Sequence, residues 1–549
     1  MPEELPFVRI QTMERSYQIR IDNVIDAQYW QKLTSLLEWV LPVKFIFSGK
    51  SARDESLLAG EIFTNSSLKP GARGISRQPG SLSMPDPVSR RPNSQLTGMI
   101  VEFLNDPDVP FPYRGRKLQV QVAAEFKPLT LQGGERILAL CELGPVWVVA
   151  EDSGEKHFVS AFTLPELGPE SDFREVLNEQ RFIEMLPLIC WLRGICDKNA
   201  YTNPPLRACF IFDDPNLHWT SYGFVDFREI AEHAARENYH VAFATIPLDA
   251  WFTHQATTQV FRSNARYMSL MVHGNDHTKQ ELALDYNSQA RGALLQRAMH
   301  RIKGLETKAG LPVSRVMVPP HGACSEAMLA ELPRYGFEAA CISHGSLRAH
   351  NHDKTWTRHI GYLPAESIQG CPVLPRWGMS GNLENTILLA AFLGQPMIFR
   401  GHHQDLKGGI ELLNDLAKCI NRLGPVIWSN MTDLCRMNYR WRMEGDIYRV
   451  KPLGRKLLLQ VPDQASQLII QDKATTGWVG SGHNGEPLLI RVSEPIKLPE
   501  LKSRKIIIES GTRTEDSSKP DSHRTTANAL LRRLLTEGRD RLLPLIATR

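Results

Sequence analysis

The nine cysteines of this 549-residue chain are scattered, odd in number, and include no Cys-x-x-Cys pair. Neither a disulfide framework nor a cysteine zinc site is therefore indicated. Most of the thiols read as small buried hydrophobes. Net charge is also low: 64 Lys and Arg against 60 Asp and Glu leave +4. A nucleic-acid binder would concentrate basic residues on one face, and no such stripe is present, so no nucleic-acid partner is expected. No run approaches the roughly eighteen uninterrupted apolar residues of a membrane span. The most apolar stretch, 183–196, is interrupted by Arg193. The opening MPEELPFVRIQTMERSYQIRID lacks the basic start and apolar run of a secretory signal. A cytoplasmic protein without a transmembrane segment is expected.

What is present is ordinary globular material, 42% hydrophobic and 23% charged. The length calls for two to four domains. Residues 1–190 read as a mixed α/β N-terminal domain without a chemical motif. Within it, Gly71 to Asn93 is rich in Gly, Pro, Ser and Arg, as a loop or insert would be. Strands are expected at 117–123, 137–140 and 145–150, and helices over 173–197.

Over 200–443 the pattern becomes regular. Apolar strand runs at 208–212, 240–246, 267–272, 315–318, 339–342, 396–399 and 426–428 alternate with helices at 227–237, 289–309, 325–335, 410–423 and 432–442. Such alternation demands a mainly parallel sheet, and seven strands favour a barrel. Residues 445–510 carry short strand candidates between Gly, Pro and Asp turns, as in a small β-sandwich. Residues 511–549 read as a polar linker and an amphipathic helix over 526–546, broken near Pro544. Its Leu530, Leu531, Leu534, Leu535, Leu542 and Leu543 read as a face packed on its own protein; a partner or membrane-surface contact is the other use of such a face.

Chemistry gathers at strand ends. The run ACFIF leads into Asp213-Asp214-Pro215-Asn216. Buried carboxylates are costly unless paired or bound to a cation, although Asp-Pro also serves in plain turns. The run YMSLMV leads into His273-Gly274-Asn275-Asp276-His277. Two imidazoles four residues apart can grip one metal ion. In parallel α/β domains functional groups collect at the carboxyl ends of strands. One carboxylate and two imidazoles would leave an open position for water, as a hydrolytic metal requires. Two further ends are Val318-Pro319-Pro320-His321-Gly322 and Arg400-Gly401-His402-His403.

The order FDDP, HGNDH, PPHG and a late strand followed by histidine resembles the polysaccharide deacetylase superfamily, the NodB-type carbohydrate esterases, over about 207–442. The resemblance implies a distorted (β/α)7 barrel. It implies Asp213 as catalytic base, Asp214, His273 and His277 as ligands of a divalent metal, usually Zn2+, and His402 or His403, with His402 preferred, as general acid. Two departures stand out. The family's loop commonly begins with an arginine that orients the base, and Val318 is there instead. The family's tyrosine in that loop is replaced by His321. Arg376 is a candidate to hold Asp213, a solvated arginine being the plain alternative. Trp219, near the first loop, could stack on a sugar ring or simply pack in a core.

The expected activity is metal-dependent removal of an acyl group from an N-acylated amino sugar, with His321 and Arg376 beside the substrate. The alternatives are another metal-dependent carbohydrate or amide hydrolase, or a catalytically silent glycan-binding or scaffolding protein.

Overall fold

The computed structural model describes residues 201–472 without interruption, most of 96–196, and the segments 7–11, 16–22, 27–41, 43–48, 58–63, 80–84, 477–481, 487–498, 505–510 and 527–547. The Gly71 to Asn93 loop lies outside the described residues except for 80–84, and so does the expected linker over 511–524. The chain forms two compact units, 1–201 with 384–392, and 202–383 with 393–549.

The first unit is mixed α/β. One ten-stranded sheet carries its described strands, with helices Ala27–Val40 and Leu186–Cys196. Lys117–Ala123, Arg136–Cys141 and Gly144–Asp152 fall where alternating apolar residues place them. Tyr113 is fully buried, stacked on Phe182 at 4.8 Å and tilted against Phe392 at 5.6 Å.

The second unit is built on a parallel sheet. Its successive neighbours are Cys371–Leu374, Ala339–Cys341, Val313–Val318, Met268–His273, Val241–Thr245, Arg207–Asp213 and Met397–Gly401. The short Trp377–Gly378 pairs beyond Met397–Gly401, while Glu366–Ile368 adds an antiparallel edge beside Cys371–Leu374. The hydrogen-bonded path is therefore open. Cys371–Leu374, next to one edge, and Trp377–Gly378, at the other, are nonetheless joined by Pro375 and Arg376 alone, and three peptide units span at most about 11 Å. The sheet must curl until its ends nearly meet, and Arg376 sits at that seam.

Side-chain alternation shows which face lies inside the curl. Cys209 and Ile211, Ala242 and Ala244, Val316 and Val318, and Ala339 and Cys341 all belong to one fully buried cluster. Each pair is two residues apart. The same period carries Asp213 and His273 to the mouth of the interior. The residues inside are mostly small, as a narrow curl requires. Met431, Leu434 and Cys435 of the helix Met431–Arg436 pack into the same cluster.

Flanking helices have legible ends. Phe227–Glu237 starts at Asp226, whose carboxylate accepts from the amides of Arg228 and Glu229, and stops at left-handed Asn238. Ser288–Ala309 starts at Asn287 and stops at Gly310, φ +60°.

Three expectations are corrected. The helix over 432–442 is a short helix, Met431–Arg436, followed by the strand Tyr439–Glu444. That strand pairs with Ile447–Pro452 across Gly445, φ +59°, so hairpin pairing overrides the helical spacing. The strand over 426–428 is only Ile427–Trp428, paired to the start of Arg207–Asp213; Cys371–Leu374, whose proline hides it, takes a place in the main path instead. The last helix, Ala527–Ala547, continues through Pro544.

From Tyr439 onward two four-stranded sheets, the first including Tyr439–Glu444, contribute to one apolar cluster that includes Tyr448, Leu457, Leu468, Trp478 and Ile508.

Candidate metal centre

Arg207–Asp213 is buried at every position, and the chain turns sharply after it. Asp214 has φ +84°, a left-handed conformation that is rare for a non-glycine residue. His277 and His321 share it, at φ +53° and +57°. Each such residue costs roughly 1–3 kcal/mol and persists only where its surroundings impose it. Three of them meet around one point.

The Nε2 atoms of His273 and His277 lie 3.3 and 3.1 Å from Asp214 Oδ1. The two imidazole centroids are 5.0 Å apart, and His321 sits edge-on to His277 at 5.1 Å. Among the described residues, Asp214, His273 and His277 form a group of potential ligands with donor atoms all within 4.8 Å of one another.

The tautomer of His273 follows from its other nitrogen. Nδ1 is 3.0 Å from the carbonyl oxygen of Val318, which can only accept, so Nδ1 carries the proton. In the neutral ring Nε2 then directs a lone pair at a carboxylate oxygen. With Nε2 unprotonated, its lone pair and the carboxylate oxygen would share a cation, as the ligands of one metal ion do. A backbone carbonyl on the far nitrogen is also the usual means of orienting a metal-bound imidazole. The donor set, two nitrogens and one oxygen, suits a zinc-like divalent ion.

The loop bearing the histidines is held by Glu281, which the sequence reading missed. Its buried carboxylate accepts from the amides of Asn275, Asp276 and His277 at 2.6–3.2 Å. Arg301, from the long helix, donates to the side chains of Asn275 and Asp276 at 2.7 and 2.6 Å. Gly274 is required because a Cβ there would collide with Glu281 and Pro320. An acid four residues beyond His277 was the only sequence signal for Glu281.

Asp213 is 3% exposed and receives Arg376 Nη1 at 3.1 and 3.0 Å on its two oxygens. Burial raises the Asp213 carboxyl, but Arg376, His273 and His402 outweigh it and hold it below the usual carboxylate range. Burial likewise raises Asp214, and the two histidines hold it well below that range.

The two late histidines diverge. His402 contributes to the field at Asp213, and its backbone amide donates to Asp405 at 2.7 Å. His403 is buried between Tyr222 and Phe224, with Asp540 3.6 Å away. Trp219 is 58% exposed, beneath the guanidinium of Arg541. His321 lines the cavity at the site; burial and His277 lower its basicity.

The last helix packs here as well, with its polar face inward. Arg533 donates to Asp249 at 2.7 Å and to the Asp214 carbonyl at 3.1 Å. Tyr222 donates to Asp540 at 2.9 Å, and Glu537 lies 3.3 Å from His218. Leu530, Leu531, Leu534, Leu535 and Leu542 face outward, 44–67% exposed. The apolar face expected against the protein is thus the outer one, because its polar neighbours find their partners around the candidate site.

No family model matches the chain. No curated protein matches it either. Among solved structures it is similar to Agd3, described as a novel carbohydrate deacetylase, with 10% identity, a TM-score of 0.46, and coverage of 89% of this chain and 97% of that one. A family 4 carbohydrate esterase from Streptomyces lividans in complex with acetate matches at 10% identity and TM-score 0.24, over 40% of this chain and 88% of its own. An aldolase from Escherichia coli K12 reaches 11% identity and 0.23 over the same shares. The functional reading therefore rests on the residues of the site.

Proposed function

We propose that this protein is a metal-dependent hydrolase that removes an acyl group from an N-acylated amino sugar. One observation carries the reading. His273 and His277 converge on Asp214 Oδ1, with Val318 fixing the His273 tautomer, beside the buried Asp213–Arg376 pair.

In this reading Asp214, His273 and His277 hold a divalent ion, proposed as zinc, which when bound polarises the amide carbonyl and makes water more acidic. Asp213 accepts the proton from the attacking water. Its depressed basicity keeps it ionised and ready to accept at neutral pH, and Arg376 keeps its carboxylate in one orientation. His402 delivers a proton to the departing nitrogen as the carbon–nitrogen bond breaks. The products are a free carboxylate and an amine. Backbone N–H groups near His321 supply hydrogen bonds to the developing oxyanion. His321 and the exposed Trp219 contact the sugar.

The experiment is acyl release. Zinc-loaded protein incubated with acetylated chitooligosaccharides should release acetate without generating new reducing ends. New reducing ends would instead indicate a glycosidase. Bound metal with no release from any acylated amino sugar would indicate a silent glycan-binding module.

A further inference from the structure

We infer that the substrate carries an anionic group, a carboxylate or a phosphate, which Arg532 of the C-terminal helix recognises in the cavity beside the metal ligands. The inference deepens the hydrolase reading and rests on it.

The cavity has a volume of about 180 Å³, lined by Asp214, His277 and His321 and by Arg532, Arg533 and Arg539 of the last helix. Pockets that enclose a whole small ligand run to about 300–1,000 Å³, so this one takes only part of a sugar. The helix is therefore a wall of the site, close to whatever the metal binds.

Charge accounting separates the three arginines. Arg533 is committed to Asp249 and Arg539 to Asp540. Arg541, further along, is committed to Glu537. Asp276 is matched by Arg301 and Asp213 by Arg376. Asp214 is left for the metal. Arg532 has no side-chain partner among the described residues and is exposed to the cavity. With a divalent ion in place, Asp214 contributes −1, the ion +2 and Arg532 +1, a surplus of +2. A neutral sugar leaves that surplus uncompensated, whereas a monoanion or dianion reduces or removes it. A guanidinium also offers the forked donor geometry that carboxylates and phosphates accept.

Zinc-loaded protein carrying Asp213→Asn, chosen because the proposed reading has it bind without turning substrate over, provides the test. Calorimetric dissociation constants are measured for N-acetylglucosamine, N-acetylmuramic acid and N-acetylglucosamine 6-phosphate, the last two distinguishing carboxylate from phosphate. At least one anionic sugar should bind tenfold or more tighter than the neutral one. Adding Arg532→Gln should remove most of that preference, and Arg532→Lys should restore part of it. A preference that survives Arg532→Gln would mean that the metal alone holds the anion, and would overturn the inference. So would equal binding of all three sugars, or binding of none. Acetate release from neutral chitooligosaccharides by the wild type is scored separately. If it occurs with no anionic preference, the hydrolase reading stands and the inference alone fails.

Discussion

Arg376 Nη1 lies 3.1 and 3.0 Å from the two carboxylate oxygens of Asp213, 163 positions away in the sequence. Both side chains are almost completely buried. The arginine that could orient the base thus comes from the seam of the curled sheet rather than from the loop at Val318.

Replacing Arg376 with methionine should leave a buried charge unpaired and cost about 3–5 kcal/mol of stability. Urea unfolding measures that loss. The base must be ionised to act, so activity falls as pH drops through its pKa. Without Arg376 that pKa rises, and the acid limb of kcat/KM should move to higher pH. The wild-type carboxyl titrates below its unfolded value. Its stabilisation is therefore present above the unfolded value and lost as pH falls through the folded one. A limb that stays in place in Arg376→Met would remove Asp213 as the base.

Asp213→Asn should abolish turnover while metal remains bound. His273→Ala should lose stoichiometric metal, because the ring joins Asp214 on one side and Val318 on the other. Metal analysis of both purified variants decides the matter; a His273→Ala protein that retains a full equivalent would move the site elsewhere.

Glu281→Gln should weaken metal affinity by about 10–100-fold without touching a ligand, the usual effect of removing an outer-shell partner. Three loop amides lose their charged acceptor. Competition with a chromophoric chelator reads the affinity directly, and an unchanged value would show that the loop holds its shape unaided.

His402→Asn should lower kcat by about 10²–10⁴, the range for loss of a general acid, with little change in stability. His403→Asn should instead destabilise the fold, since that ring is packed between Tyr222 and Phe224. If the two phenotypes are exchanged, the acid has been assigned to the wrong histidine.

Docking of the last helix should weaken as pH rises. Burial lowers the basicity of His218, but Glu537 more than compensates and raises it. A raised histidine contributes stability that is present below its unfolded pKa, near 6.5, and lost as pH climbs through the folded value. Amide exchange in 527–547, corrected for its intrinsic pH dependence, should therefore be faster at high pH. Glu537→Gln should reduce this dependence.

The strand ends were legible in the sequence because their signals are local. An apolar run followed by Asp213-Asp214, and another followed by two histidines four apart, need no long-range information. The same holds for Phe227–Glu237, whose helical spacing is local and matches the observed helix. Tertiary structure decided what depends on distant partners. Nothing near Arg376 in sequence distinguishes a solvated arginine from one aimed at Asp213; the curl of the sheet does, by bringing its two ends together at that residue. Nothing in the leucine stripe of the last helix says which way it faces. A sequence displays the apolar period, but orientation follows from where Arg533, Glu537 and Asp540 find their partners, and those partners are on Asp249, His218 and Tyr222, some 300 residues away.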